Sequence, residues 1–350
     1  MKTSHIIPAA IALSLLFSGN AMAGGIAVDN DDAGKLTISS KFFLNATQDK
    51  TAANGATTAK STGLALDRAY LTVKYKINDI WSMKLTADAT LNTAATGKKT
   101  EVFIKNAFVQ ANFAPELQFN IGVIGTPWIG YENGLDEHRY IVKAYLDTKK
   151  LDGSADAGIG ISGKFADGLV GYAATVVNGG GYGDIAATDA VDYNSRIGIY
   201  PVEGLTLDFQ FRSGYLGTKT FGAAGEKSTL LQAMTTYGAT KNYRVGANYI
   251  QNKKDVAGVE TKTRAIVAWG RAKFANDFGL YGRYENSKVD LSTAAIDEKE
   301  NRFIVALEYF ANKNISMSLA WDQAKTTEAG HIAGATSKES RYGLYTQAKF

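Results

Sequence analysis

The densest irregular run of ionisable side chains is Thr126 to Gly153, TPWIGYENGLDEHRYIVKAYLDTKKLDG. Glu132, Asp136, Glu137, His138, Arg139 and Lys143 stand close together in it, among the aromatic residues Trp128, Tyr131 and Tyr140. Fixed charges of both signs gathered in one narrow place act on passing ions. The alternative is proton chemistry, which requires a base beside a nucleophile. Beyond the amino-terminal segment treated below, the sequence has two histidines, His138 and His331, and neither has a Ser or Asp partner that defines a triad. The expectation is a protein that is not an enzyme. Cysteine is absent, which removes disulfides, thiolate chemistry and Cys-based metal sites. Gly158-Ile-Gly-Ile-Ser-Gly163 matches a dinucleotide fingerprint by letter. Such a site needs a helix to open there, and Lys164 to Gly168 instead ends a strand in a turn. Asn178 to Gly183 is glycine-rich without the Gly-Lys-Ser/Thr that grips phosphate. No metal and no cofactor is expected.

The elements that must hold these residues repeat with a period of two. Leu71, Val73, Tyr75 and Ile77 alternate with Tyr70, Thr72, Lys74 and Lys76; Leu205, Leu207, Phe209 and Phe211 alternate with Thr206, Asp208, Gln210 and Arg212. That spacing makes strands with one apolar and one polar face. Segments of this kind are predicted near 35–46, 64–77, 81–92, 101–113, 117–126, 154–165, 169–178 and 191–200. The rest are predicted near 205–215, 229–239, 243–252, 262–274, 278–287, 300–311, 315–325 and 338–350, about sixteen strands in all. The connections alternate short, as at Asn78-Asp79 and Asn312-Lys313-Asn314, with long, as at Asp49 to Gly63, Gly179 to Asp189 and Thr326 to Lys338. None of the four prolines interrupts a predicted strand.

At the amino terminus, a positive start, the apolar run Ile6 to Phe17 and Ala21-Met22-Ala23 make a cleavable secretory signal over residues 1–23. Residues 24–34 read as a flexible lead-in, and one unit runs over 35–350. The charge balance, 38 Lys and Arg against 34 Asp and Glu, is too even for a nucleic-acid binder.

Sixteen strands closed into a ring enclose a space too wide for side chains to fill. The apolar set is therefore expected to face lipid and the polar set to line water, as in an up-and-down transmembrane barrel. The expected inner wall is basic: Arg68, Lys74, Lys84, Arg196, Arg212, Arg244, Arg271, Arg283, Arg302 and Arg341. Aromatic residues at strand ends, such as Trp81, Phe113, Phe278 and Tyr309, fit an interfacial girdle. Residues 126–153 need something to pack on. Folding inward would place Trp128, Tyr131, Glu132, Asp136, Glu137, His138, Arg139 and Lys143 at the narrowest point. Packing on a neighbouring subunit is the other possibility.

The last strand, Arg341 to Phe350, puts Tyr342, Leu344 and Phe350 on one face and ends on an aromatic residue. It resembles the terminal strand of bacterial outer-membrane barrels, which implies a signal for the outer-membrane assembly machinery. With the signal peptide, strand number and long loop after the fifth strand, the chain resembles a Gram-negative trimeric porin. Asp67 to Tyr75, Lys105 to Phe113, Thr126 to Tyr131 and His138-Arg139-Tyr140 resemble stretches of the phosphate-selective porin-like group. The resemblance implies homotrimers in the outer-membrane lipid and passive diffusion of ions and small hydrophilic solutes. It carries over no phosphate site, because the loop lysines Lys143, Lys149 and Lys150 are interspersed with Asp147 and Asp152. A weak anion preference is expected. A structural barrel, as an adhesin or a sheath filled by a periplasmic electron carrier, is the alternative.

Overall fold

The computed structural model describes residues 26–30, 34–91, 100–238, 242–275 and 277–350. The expected signal over 1–23 lies outside the described residues. The strands are β1 (Ile26–Asn30), β2 (Gly34–Ala53), β3 (Ala56–Lys76), β4 (Trp81–Leu91), β5 (Thr100–Ala114), β6 (Leu117–Gly125), β7 (Ala155–Phe165), β8 (Val170–Val177) and β9 (Asp192–Ile199). They continue as β10 (Leu205–Gly214), β11 (Glu226–Tyr237), β12 (Tyr243–Val256), β13 (Val259–Ala275), β14 (Phe278–Leu291), β15 (Glu298–Phe310), β16 (Ile315–Thr327) and β17 (Thr336–Lys349). Two short helices, α1 (Ile129–Asp136) and α2 (Tyr145–Thr148), lie between β6 and β7.

From β2 to β17 each strand pairs antiparallel with the next, and β17 returns to β2 in a register running from Ser337↔Ala53 to Lys349↔Lys41. Phe350 completes the seam: its N–H donates to the Ser40 carbonyl at 3.1 Å and its own carbonyl accepts from Ser40 N–H at 3.2 Å. A sixteen-stranded ring closed in this way has no free edge. β1 corrects the reading of 24–34 as a flexible lead-in. It pairs with β2 from Ile26↔Ile38 to Asn30↔Gly34, on the stretch of β2 that lies past the end of β17.

One connection expected to be long is not. The segment 49–63 is mostly strand, because β2 and β3 continue to a two-residue turn at Asn54 (φ 48°) and Gly55 (φ 84°). Both residues are left-handed, the turn geometry that matches strand twist and favours Asn-Gly. Ala257 and Gly258 join β12 to β13 in the same manner. With 20 and 21 residues, β2 and β3 are about twice as long as a bilayer crossing needs. β2 stays paired with β17 to its last residue, Ala53↔Ser337, whereas the far end of β3 is exposed on both faces and, among the described residues, pairs with β2.

The outer face is apolar. Leu71, Leu85, Phe209, Leu231, Ile266 and Leu307 point away from the ring and are about half exposed, while the strand neighbours of the last four are buried. Aromatic pairs gather at the short-turn ends, with Trp81 and Phe113 rings 6.3 Å apart and Phe278 and Tyr309 5.4 Å apart. The inner face departs from the expectation of a uniformly polar lining. Leu230, Met234, Ile250, Val267, Trp269 and Ile304 point inward from β11, β12, β13 and β15 and are buried. They form one cluster with Trp128, Ile129, Tyr140, Val142, Tyr145 and Leu146 of the segment between β6 and β7. An apolar strip on an otherwise polar wall is stable only when covered, and that segment covers it.

Candidate functional site

The segment from Thr126 to Ser154 lies against the inner face of β10 to β16. Trp128 is fully buried and its indole N–H donates to Glu132 Oε2 at 2.7 Å; Glu132 Oε1 accepts from the Asn248 side-chain amide of β12 at 2.8 Å. Burial raises the Glu132 carboxyl above its usual range, against the pull of Arg283 and of these two donors. Tyr131 donates to Asp208 of β10 at 2.9 Å and lies under the Arg196 guanidinium, whose carbon is 3.7 Å from the ring centre. Asp136 accepts from Tyr281 of β14 at 3.1 Å. Glu137 takes Arg271 of β13 at 2.6 Å.

His138 is the pivot of this contact. Its ring stacks on Tyr281, with centroids 3.9 Å apart. Nδ1 faces the Asp136 backbone carbonyl at 2.6 Å and Nε2 faces Glu308 of β15 at 2.9 Å. Two acceptors for two ring nitrogens define an imidazolium, because a neutral ring can donate only once. Burial alone would lower its pKa; the bonds to Asp136 and Glu308 outweigh it and bring it up to about 9. Tyr140 adds a bond of 3.0 Å to the same Glu308 oxygen and one of 2.6 Å with Ser318 of β16. Farther along, Lys149 reaches Glu300 at 2.6 Å, and Asp152 accepts from Gln210 at 2.8 Å. Burial pushes the Asp152 carboxyl up to about 6, despite nearby Arg212. On the opposite side Arg139 lies 3.7 Å from Asp67 of β3 and 3.8 Å from Asp147. Lys143 makes no ion pair among the described residues, and burial lowers its pKa.

The arginines expected as a free basic wall are mostly neutralised by acids on the wall itself. Arg68 pairs with Asp88 at 2.9 Å, Arg196 with Asp208 at 2.7 Å and Arg212 with Asp192 at 3.3 Å. Arg283 meets Glu285 at 2.7 Å and Asp136 at 3.5 Å; Arg302 meets Asp322 at 2.6 Å, and Arg341 is bonded to Asp49. Arg244 makes no ion pair among the described residues. Lys74 and Lys84 point into the lumen near its short-turn end, without a carboxylate partner. The sequence places acids on the same face but does not pair them with the arginines, because a strand's own sequence does not name its cross-strand neighbour. The expected basic wall also omitted Lys41 and Lys105, both of which line the same space. Their strand parity was the available signal.

The remaining residues singled out in the sequence fall elsewhere. Gly158 to Gly163 lies on β7, and a side chain at Gly160 would crowd Ile124 and Thr175, each 3.0 Å from the added carbon. These glycines let neighbouring strands pack and open no helix. His331 sits in an outer connection with Nδ1 2.8 Å from the Ile296 carbonyl. Tyr342 and Leu344 face outward from β17, about half exposed. No group of three or more potential metal ligands occurs among the described residues.

No family model and no curated protein matches the sequence. Solved structures do match in fold. OmpT of Vibrio cholerae aligns over 93% of this chain and 100% of its own, with a TM-score of 0.68 at 15% identity. A trimer form of the same protein aligns at 0.60, also at 15% identity, over 91% of this chain and 100% of its own. The outer membrane channel DcaP of Acinetobacter baumannii gives 0.66 at 12% identity over 93% of this chain and 100% of its own. An anion-selective porin from Comamonas acidovorans gives 0.64 at 11% identity, over 90% and 99%. The fold is that of the sixteen-stranded outer-membrane barrels.

Proposed function

We propose that this chain is a porin of a Gram-negative outer membrane, exported through a cleaved signal peptide and passing ions and small hydrophilic solutes down their gradients. The observation that carries the reading is the inverted barrel: sixteen strands close with apolar side chains outward and charged ones inward. Such a ring is stable when lipid surrounds it and water fills it. Residues 126–153 narrow the lumen. Trp128, Tyr131, Glu132, Asp136 and His138 anchor this constriction to the wall, and Glu137, Arg139 and Lys143 supply its polar surface. The excess of unpaired cations over unpaired acids gives a weak anion preference. The chain works as a homotrimer, a reading supported by the trimer form of OmpT. Tyr342, Leu344 and Phe350 present the terminal strand to the assembly machinery.

The test is single-channel conductance of the refolded mature protein in a planar bilayer, with reversal potential under a KCl gradient. Stepped conductance with three sublevels and a potential of anionic sign is the expected result. A folded barrel that stays silent at every voltage would overturn the reading in favour of a barrel occupied by another chain.

A further inference from the structure

On the short-turn side of the constriction segment the lumen opens into a cavity of about 970 Å³. Among the described residues, nine Lys and Arg side chains and three Asp and Glu carboxylates line it. Two of those carboxylates are already engaged, Glu137 by Arg271 and Glu308 by His138.

The cations are ordered by the strand register. Lys74 on β3 is the direct cross-strand partner of Lys84 on β4, and Lys41 on β2 is that of Lys349 on β17. All four line the cavity, and none makes an ion pair with a carboxylate of the described residues. Lys84 rests over the Phe108 ring at 5.7 Å. Like charges directly opposite on one face of a sheet destabilise it. Elsewhere on this wall the chain places an acid beside nearly every arginine, yet here it sets two lysine pairs around one space. An anion between the ammonium groups removes the repulsion.

The spacing selects among anions. Lys41 stands opposite Tyr70, and Lys74 is four residues farther along the same strand. The two pairs are therefore displaced by about 13 Å along the strands and by two strand spacings, about 10 Å, across them. A single oxyanion can bridge one pair but cannot reach both. An organic molecule with a carboxylate at each end can, because each lysine stem extends toward it by several ångströms. Thr72 and Thr86, joined through their hydroxyls at 3.0 Å, lie between the pairs and offer hydrogen bonds along the way. The cavity is of the size that holds an organic solute.

We propose that Lys41, Lys349, Lys74 and Lys84 form a binding site for organic dicarboxylates in the short-turn mouth of the barrel. It rests on the porin reading, in which such solutes reach the mouth through water. The test titrates adipate against the chloride conductance of the refolded mature protein, added to either side, with inorganic phosphate and hexanoate as comparisons. Adipate is expected to block at lower concentration than phosphate or hexanoate, and more effectively from the short-turn side. The double variant Lys74→Gln, Lys84→Gln raises the half-blocking concentration about tenfold, as loss of one charged anchor would. Lys60→Gln, at the opposite end of β3 from Lys74, leaves it unchanged. Phosphate blocking as well as adipate, or a block indifferent to the double variant, overturns the proposal. If the folded barrel does not conduct, the porin reading fails separately. Calorimetric titration of adipate into the detergent-folded protein then decides the site: heat lost in the double variant supports it, and no heat in the natural protein overturns it.

Discussion

Two regions of the same inner wall treat charge in opposite ways. Beside α1, buried Arg283 is held by Glu285 and Asp136, and Arg302 by Asp322 and Glu285. At the short-turn mouth Lys41, Lys74, Lys84 and Lys349 stand in like-charged pairs without acids. The difference follows from solvation. Charges covered by residues 126–153 have lost water and must be compensated by neighbours. Those at the mouth keep water, so their repulsion is screened and can be tolerated. The first region is built to hold a segment in place, and the second to leave charge available.

The sharpest way to break this contrast is to remove one partner from the covered region. Arg283→Ala takes the nearer cation from buried Glu285, leaving it Arg302 at 3.8 Å, and one of the two cations facing Asp136, and a loss of about 3 kcal/mol in denaturant unfolding is expected. An unchanged midpoint would mean that water enters there as freely as at the mouth. Trp128→Ala removes a fully buried ring and the donor to Glu132, at about 3–5 kcal/mol to the packing of residues 126–153. The measurable consequence is larger and noisier single-channel conductance with the barrel itself still folded.

His138 sharpens the comparison through pH. Its pKa rises from about 6.5 in the unfolded chain to about 9 in the fold. The imidazolium contacts therefore stabilise fully below about pH 6.5 and are lost as pH climbs through about 9, on the order of 3 kcal/mol. Unfolding midpoints across that window should fall for the natural protein and stay flatter for His138→Gln. The smallest effect belongs to the mouth. Lys74→Gln should raise stability by a few tenths of a kcal/mol, because it relieves repulsion from Lys84. The same change should move the KCl reversal potential toward cations.

Much of the architecture was legible along the chain, since alternation of the kind in Leu205 to Arg212 is a local property of a strand. The limits of that reading are as physical as its successes. Residues 49–63 look like a loop because they carry no apolar face, but an Asn-Gly turn and a paired backbone suffice for a hairpin, whose β2 arm is paired on its other side with β17. Leu230, Ile250 and Trp269 carry inward apolar side chains that a polar lining does not anticipate, and only their contact with Trp128 and Tyr145 explains them.

The sequence alone determined that the strands are two-faced and that their number closes a wide ring, because period-two alternation and turn chemistry are written within a few residues. It also marked residues 126–153 as the exceptional segment. Tertiary structure decided which inward cations are neutralised. Arg68 finds Asp88 and Arg196 finds Asp208 across a strand pair, whereas Lys74 finds Lys84. Those partners are fixed by register and ring closure, which no single strand contains, and charge becomes a function only once its neighbours are known.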